Sequence, residues 1–144
     1  MIIYFRSNGA KTWMNADDFF IAHDLSHYAI EKTLGYKTAF YGMINSGIEL
    51  TDFLDKEKRN AMDFTDEAMY AESMANLFLI DNKQGKIENF NQLQQEALQT
   101  GFPKAKLLHL SEEQIDAIRN YLSQLLVQWS YLSSGESLQL EIDV

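Results

Sequence analysis

The stretch Asp17-Asp18-Phe19-Phe20-Ile21-Ala22-His23-Asp24-Leu25-Ser26-His27-Tyr28-Ala29-Ile30-Glu31-Lys32-Thr33-Leu34-Gly35 decides how this chain is read. It predicts a helix from Asp17 to about Leu34, with Asn15 or Asp17 available as the N-cap and Gly35 as a left-handed C-cap. Residues four apart on a helix share a face, displaced by about 40° around the axis. His23, His27 and Glu31 therefore form one ladder, and Asp24 falls roughly 100° from His23, near the angular position of Glu31. Phe19, Phe20, Ile30 and Leu34 lie within about 60° of His23 by the same geometry. Asp18 and Lys32 take the opposite side, with Leu25 between them. The titratable residues thus sit on the face expected to be buried, where a charge needs a partner, a proton or a metal.

Outward from this helix, residues 2–6 are β-branched and aromatic and read as a strand, closed by the turn signal Ser7-Asn8-Gly9. Lys11–Met14 reads as a second brief strand or an extended lead-in. A second helix is expected over about 39–46, with Gly42 marking a close helix approach. Residues 48–54 read as helix or irregular turn, and 55–64 as a charged loop. Thr65 followed by Asp66-Glu67 starts a third helix, about 65–81, and a fourth covers about 89–100, stopping at Gly101 before Pro103. The capping box Ser111/Gln114 opens a fifth helix to about Leu132, with Ile115, Ile118, Leu122, Leu125 and Trp129 as its apolar stripe. Residues 138–144 alternate apolar and polar like a half-buried strand. The expected fold is mainly α, about five helices, in a single domain over 1–144, with a small sheet pairing the N- and C-terminal strands.

Composition narrows the function classes. The chain has 144 residues, 46 % of them hydrophobic, which suffices for one real core. It has no cysteine, so disulfides and thiolate chemistry are excluded and any metal would be held by nitrogen and oxygen. A net charge of −9 with scattered basic residues argues against a nucleic-acid partner. Lys56-Glu57-Lys58-Arg59 and Lys104-Ala105-Lys106 are the local basic concentrations, and both read as a solvated loop or helix end. No run approaches a membrane span, and residues 1–6 lack the apolar core of a signal peptide, so the expected location is cytoplasmic.

The His/acid ladder points to a divalent metal site, with zinc, iron, manganese and nickel as the ions that imidazole and carboxylate suit. The pattern is HDxxHxxxE rather than the zincin HExxH, and Asp24 has a shorter reach than the zincin glutamate, so peptidase activity does not follow. Candidate ligands are His23, His27 and either Asp24 or Glu31. One straight helix cannot surround an ion, so a donor from elsewhere or water must complete it. Glu72, set among Ala68, Met69, Ala71 and Ala75, is the preferred outside donor, followed by Glu49 and Asp52, with His109 remote. Met43, Met62, Met69 and Met74 read as core filler.

Residues 19–35 with Ala39-Phe40-Tyr41-Gly42-Met43-Ile44 resemble a group of small uncharacterised bacterial proteins patterned FFxxHDLxHYA(V/I)ExxLG and then FYG. The likeness covers residues 13–53 and implies no activity. More distantly, His23, Asp24 and His27 are similar to the HDxxH of the ubiquinone-biosynthesis scaffold family, a helical fold whose fourth ligand is a glutamate. That spacing lands on Ala39 here, or on Met43 when aligned on the preceding glycine, so quinone or lipid binding does not carry over. HD-type phosphohydrolases need a further upstream His, and none precedes His23.

Two functional expectations result. In the first, the protein is a divalent-metal-binding, metal-dependent enzyme, hydrolytic in the leading reading and suited to oxygen chemistry if the ion is iron: His23, His27 and one or two carboxylates hold the ion, and Asp24 or Glu31 serves as base or orients a histidine through its second nitrogen. In the second, it is a non-catalytic binding or assembly module in which the cluster is structural and apolar surfaces meet a protein partner, a small molecule or another copy in a homo-oligomer.

Overall fold

The computed structural model describes residues 1–144 and contains six helices and one two-stranded sheet. Strand β1 (Ile2–Phe5) pairs antiparallel with β2 (Lys11–Met14), Ile3 opposite Trp13 and Phe5 opposite Lys11. Gly9, at φ 89°, makes the reversal that a side chain would resist. Arg6 fastens the hairpin to the body: its Nε donates to the Ile44 carbonyl at 2.7 Å and its Nη2 to that of Ile48 at 2.9 Å.

Helix α1 (Asp18–Leu34) is the centre of the molecule. Asp17 caps it by accepting from the Phe20 N–H at 2.8 Å, and Gly35 closes it in the left-handed region at φ 69°. The short helices α2 (Phe40–Asn45) and α3 (Lys56–Ala61) flank a 3₁₀ turn at Leu50–Phe53. Then come α4 (Asp66–Gln84), α5 (Phe90–Gly101) and α6 (Glu112–Ser130), the last opened by the reciprocal Ser111/Gln114 capping box. Helix α1 packs against α4 and α6, and the core between them is built on Ile30, Met74, Phe78, Ile118 and Leu122. Small residues on the α1–α4 seam, Ser26, Ala71 and Ala75, are all fully buried, and the Ser26 hydroxyl donates to the Ala75 carbonyl at 2.8 Å. No helix is long and apolar enough to cross a membrane.

Four expectations are corrected. The sheet joins two N-terminal strands rather than the two ends of the chain. Residues 138–144 form no strand; side chains of α1 and the following loop reach their carbonyls instead, Tyr28 and Lys32 donating to Glu141 and Lys37 to Asp143. Their alternation is still used, because Leu138, Ile142 and Val144 pack on the core. The charged segment 55–64 holds helix α3, capped by Asp55 on the Lys58 N–H, which raises the helix number to six. Gly42 does allow a close approach, but to backbone rather than to a helix: a Cβ there would lie 2.0 Å from the Lys37 carbonyl oxygen.

Candidate metal centre

The α1 ladder and the outside donor meet where α1 crosses α4. Ligand atoms of His23, His27 and Glu72 all lie within 4.8 Å of one another. The His23 and His27 rings pack edge-on with centroids 4.8 Å apart, and Phe40 and Phe19 flank them. His27 is buried, His23 is half-buried, and the Glu72 side chain is 54 % exposed at the rim. Two donors on one tetrahedral ion at Zn–N distances of about 2.0–2.1 Å stand roughly 3.4 Å apart. The exposed Glu72 and the half-buried His23 are the side chains with room to close that gap. The set can therefore hold a metal ion.

Glu31, one turn beyond His27, is 1 % exposed, and both of its oxygens are occupied. Oε2 lies 2.9 Å from His27 Nδ1, and Oε1 accepts the Tyr41 backbone N–H at 3.1 Å. The ladder geometry put Glu31 on the right face, but its carboxylate grips the histidine from behind and is not one of the clustered ligand atoms. The loop that presents Tyr41 is itself held, because Glu67 on α4 accepts the N–H groups of Lys37 and Thr38 at 2.8 and 2.9 Å.

Asp24 also stands apart from the cluster. Its Oδ1 accepts the hydroxyls of Tyr4, from β1, and Tyr41, the latter at 2.8 Å, while Oδ2 takes no hydrogen bond from the protein. Glu49 pairs with Arg6 at 3.3 Å and Asp52 with Lys58 at 3.1 Å, so neither is turned to the histidines. His109 is exposed on the segment between α5 and α6, outside the cluster.

Electrostatics follow from these partners. Burial alone would push the His27 imidazolium pKa down, but hydrogen bonds to Glu31 and Glu72, at 2.9 and 3.2 Å, overcome it and raise the value to about 10. With no metal, both ring nitrogens face carboxylates and both carry protons. His23 is lowered, first by burial and then by the like charge of His27. The Glu72 carboxyl is lowered, mainly by its hydrogen bond with His27. Burial raises Asp24 to about 6 against the two tyrosine hydroxyls that favour its anion. Burial and the neighbouring Asp24 hold the Tyr4 and Tyr41 hydroxyls well above the usual phenol range, so both remain donors.

The centre opens onto a cavity of roughly 840 Å³, within the span of small-molecule sites. Its lining comes from α1 and α4 and from α2, the 3₁₀ turn, α3 and the end of α5 with the segments beside them. Phe19, Phe20, Phe40, Phe53, Phe64 and Phe102 supply its aromatic lining. Met43, Met62 and Met69 line it too, while Met74 alone of the four flagged methionines is fully buried core. Sequence reading missed Tyr4, whose strand register gave no hint of a partner on α1, and Arg59, which lines the cavity from a run read as solvated loop.

No family model, no curated protein and no solved structure matches this chain.

Proposed function

We propose that this protein binds one divalent metal ion through His23, His27 and Glu72 and uses it to hydrolyse a small-molecule substrate held in the adjoining cavity. The observation that carries the reading is the convergence of these three side chains, from two helices, at the wall of a large open cavity. Two histidines and one carboxylate are a donor set of catalytic zinc sites, which keep a position for water, and also of non-haem iron sites. A site that serves only as a structural staple is closed by four protein ligands.

When bound, the ion supplies Lewis acidity and lowers the pKa of a coordinated water toward neutrality. The chain's own residues do the rest. Glu31 holds a proton on His27 Nδ1, so that Nε2 is the nitrogen turned to Glu72 and to the ion. Asp24 lies on the cavity wall with one oxygen uncommitted and a pKa raised to about 6, which suits a group that takes a proton from water near neutral pH. Tyr4 and Tyr41 fix its orientation. The phenylalanine lining gives the substrate an apolar surface beside the bond being broken.

The test is elemental analysis of protein purified without an affinity tag, followed by titration with zinc, manganese, iron(II) and nickel. One ion per chain is expected, lost in His27→Ala and weakened in Glu72→Gln. The loaded protein is then assayed on 4-nitrophenyl esters and phosphates. A folded chain that takes up none of the four metals at micromolar concentration overturns the reading.

A further inference from the structure

The chain has three arginines, and two are fully engaged. Arg6 holds two carbonyls and pairs with Glu49; Arg119 pairs with Asp81 and Asp116 and donates to the Ile87 carbonyl. The Arg59 backbone is bonded within its helix, to the Asp55 carbonyl and from the Met62 N–H, but its guanidinium makes neither a hydrogen bond nor an ion pair, although the protein carries a net charge of −9. It lines the same cavity as the metal centre, the only Lys or Arg among nineteen lining residues of which eleven are hydrophobic. Its charge reaches Glu72, whose carboxyl it helps to lower after the larger effects of His27 and His23, and a metal would neutralise that carboxylate. A guanidinium left without a partner at the mouth of an aromatic cavity matches an anionic group on whatever fills that cavity.

From this juxtaposition we propose that the substrate is an apolar molecule of medium size bearing one anionic group, its apolar body among the phenylalanines and its anion on Arg59. The assignment rests on the metal-dependent reading above for what happens to that molecule, but its recognition is tested separately. An 840 Å³ space accommodates a body of one to three fused or linked rings, or a branched acyl chain of similar bulk. Arg59 makes the site discriminate between such a molecule as an anion and as its uncharged analogue. Because Arg59 is exposed, that discrimination weakens as salt is added. Asn60 and Asn76, also on the wall, offer neutral polar contacts and add no charge preference.

Two probes with one skeleton separate the contributions: 1-anilinonaphthalene-8-sulfonate, which carries the anion, and N-phenyl-1-naphthylamine, which does not. Binding is followed by fluorescence in metal-free protein at low salt. The wild type is expected to bind one sulfonate probe per chain more tightly than the neutral probe. Arg59→Gln should lose about tenfold in sulfonate affinity, the size of one partly exposed charge-assisted hydrogen bond, with the neutral probe unchanged. Arg59→Lys should recover part of the loss. Arg59 is exposed, so both variants should melt with the wild type. Wild-type protein that binds neither probe, or an Arg59→Gln variant that binds both as the wild type does, overturns the proposal. Zinc content of the same proteins tells the two readings apart. Normal zinc uptake without probe discrimination sinks the substrate assignment alone, and discrimination without zinc uptake sinks the metal reading alone.

Discussion

Replacing Glu31 by glutamine changes no shape and two hydrogen bonds. In the wild type, one carboxylate oxygen faces His27 Nδ1 at 2.9 Å and the other accepts the Tyr41 N–H at 3.1 Å, in a site that is 1 % exposed. Both neighbours are donors when His27 turns Nε2 toward a metal. A glutamine has one acceptor oxygen, so its amide N–H₂ must meet one of them. If it meets Tyr41, a buried N–H loses its acceptor, at a cost of about 1–3 kcal/mol to folding. If it meets His27, the ring is driven to the tautomer that carries its proton on Nε2, the wrong one for coordination. Loss of such an orienting partner weakens metal binding by roughly 10- to 100-fold, or about 1.4–2.7 kcal/mol. Calorimetric titration of zinc into Glu31→Gln and wild-type protein, with thermal melts of both metal-free forms, measures the two effects. Glu72→Gln is the contrast, since it removes a rim ligand that is 54 % exposed and leaves the buried Tyr41 N–H its acceptor, so its metal-free Tm should fall less than that of Glu31→Gln. A folded Glu31→Gln protein that binds zinc as tightly as the wild type would show that Glu31 does not set the ring.

Metal binding should release about one proton per ion at pH 7, because His27 is raised to about 10 in the metal-free protein and must give up its Nε2 proton; calorimetry in buffers of different ionisation enthalpy counts it. For the metal-free fold, a histidine raised from 6.5 to about 10 contributes stability that is fully present below pH 6.5 and is lost as pH rises through 10. The Tm of the metal-free protein, followed upward from pH 6.5, should therefore show a decline that His27→Gln lacks. Gly42→Ala should lose at least about 2 kcal/mol in a denaturant melt, since its methyl would stand 2.0 Å from the Lys37 carbonyl oxygen and backbone must move. Arg119→Met should lose about 3–5 kcal/mol in the same assay, because the Asp81 side chain, 5 % exposed, would be left charged without its counter-ion.

Local signals carried most of this architecture. The caps at Asp17, Gly35, Thr65 and Ser111 are written in residue type, and helices α1, α4 and α6 lie close to where those residues place them, while α5 ends at Gly101, two residues before Pro103. The tail at 138–144 was misread because alternation reports that one side is buried and is silent about what buries it. Helix α3 was missed because its six residues bury nothing, so no apolar period marks it. At the site, four-residue spacing placed His23 and His27 together, and the apolar, small-residue setting of Glu72 marked it as the outside donor. Spacing could not divide the two remaining acids. Asp24 and Glu31 share an angular sector on α1, and what divides them is Tyr4 of β1 on Asp24 and Tyr41 of α2, which gives its hydroxyl to Asp24 and its N–H to Glu31; the positions of β1 and α2 are long-range facts. Arg59 carried no sequence signal, since an unpartnered cation is defined by what the folded chain leaves beside it.

The seam of Ser26, Ala71 and Ala75 governs more than packing. His23 and His27 belong to one helix and Glu72 to the other, so the spacing of the two helices sets how far the Glu72 side chain must reach to share an ion with the histidines. Contact through side chains no larger than a methyl or a hydroxymethyl lets the two helices approach closely. On the proposed reading, two imidazoles and one carboxylate suit first-row ions better than calcium, which takes six to eight oxygen ligands at about 2.3–2.6 Å. Valine at position 75 would widen the seam and lengthen the reach asked of Glu72, weakening its hold on a shared ion without altering a donor atom.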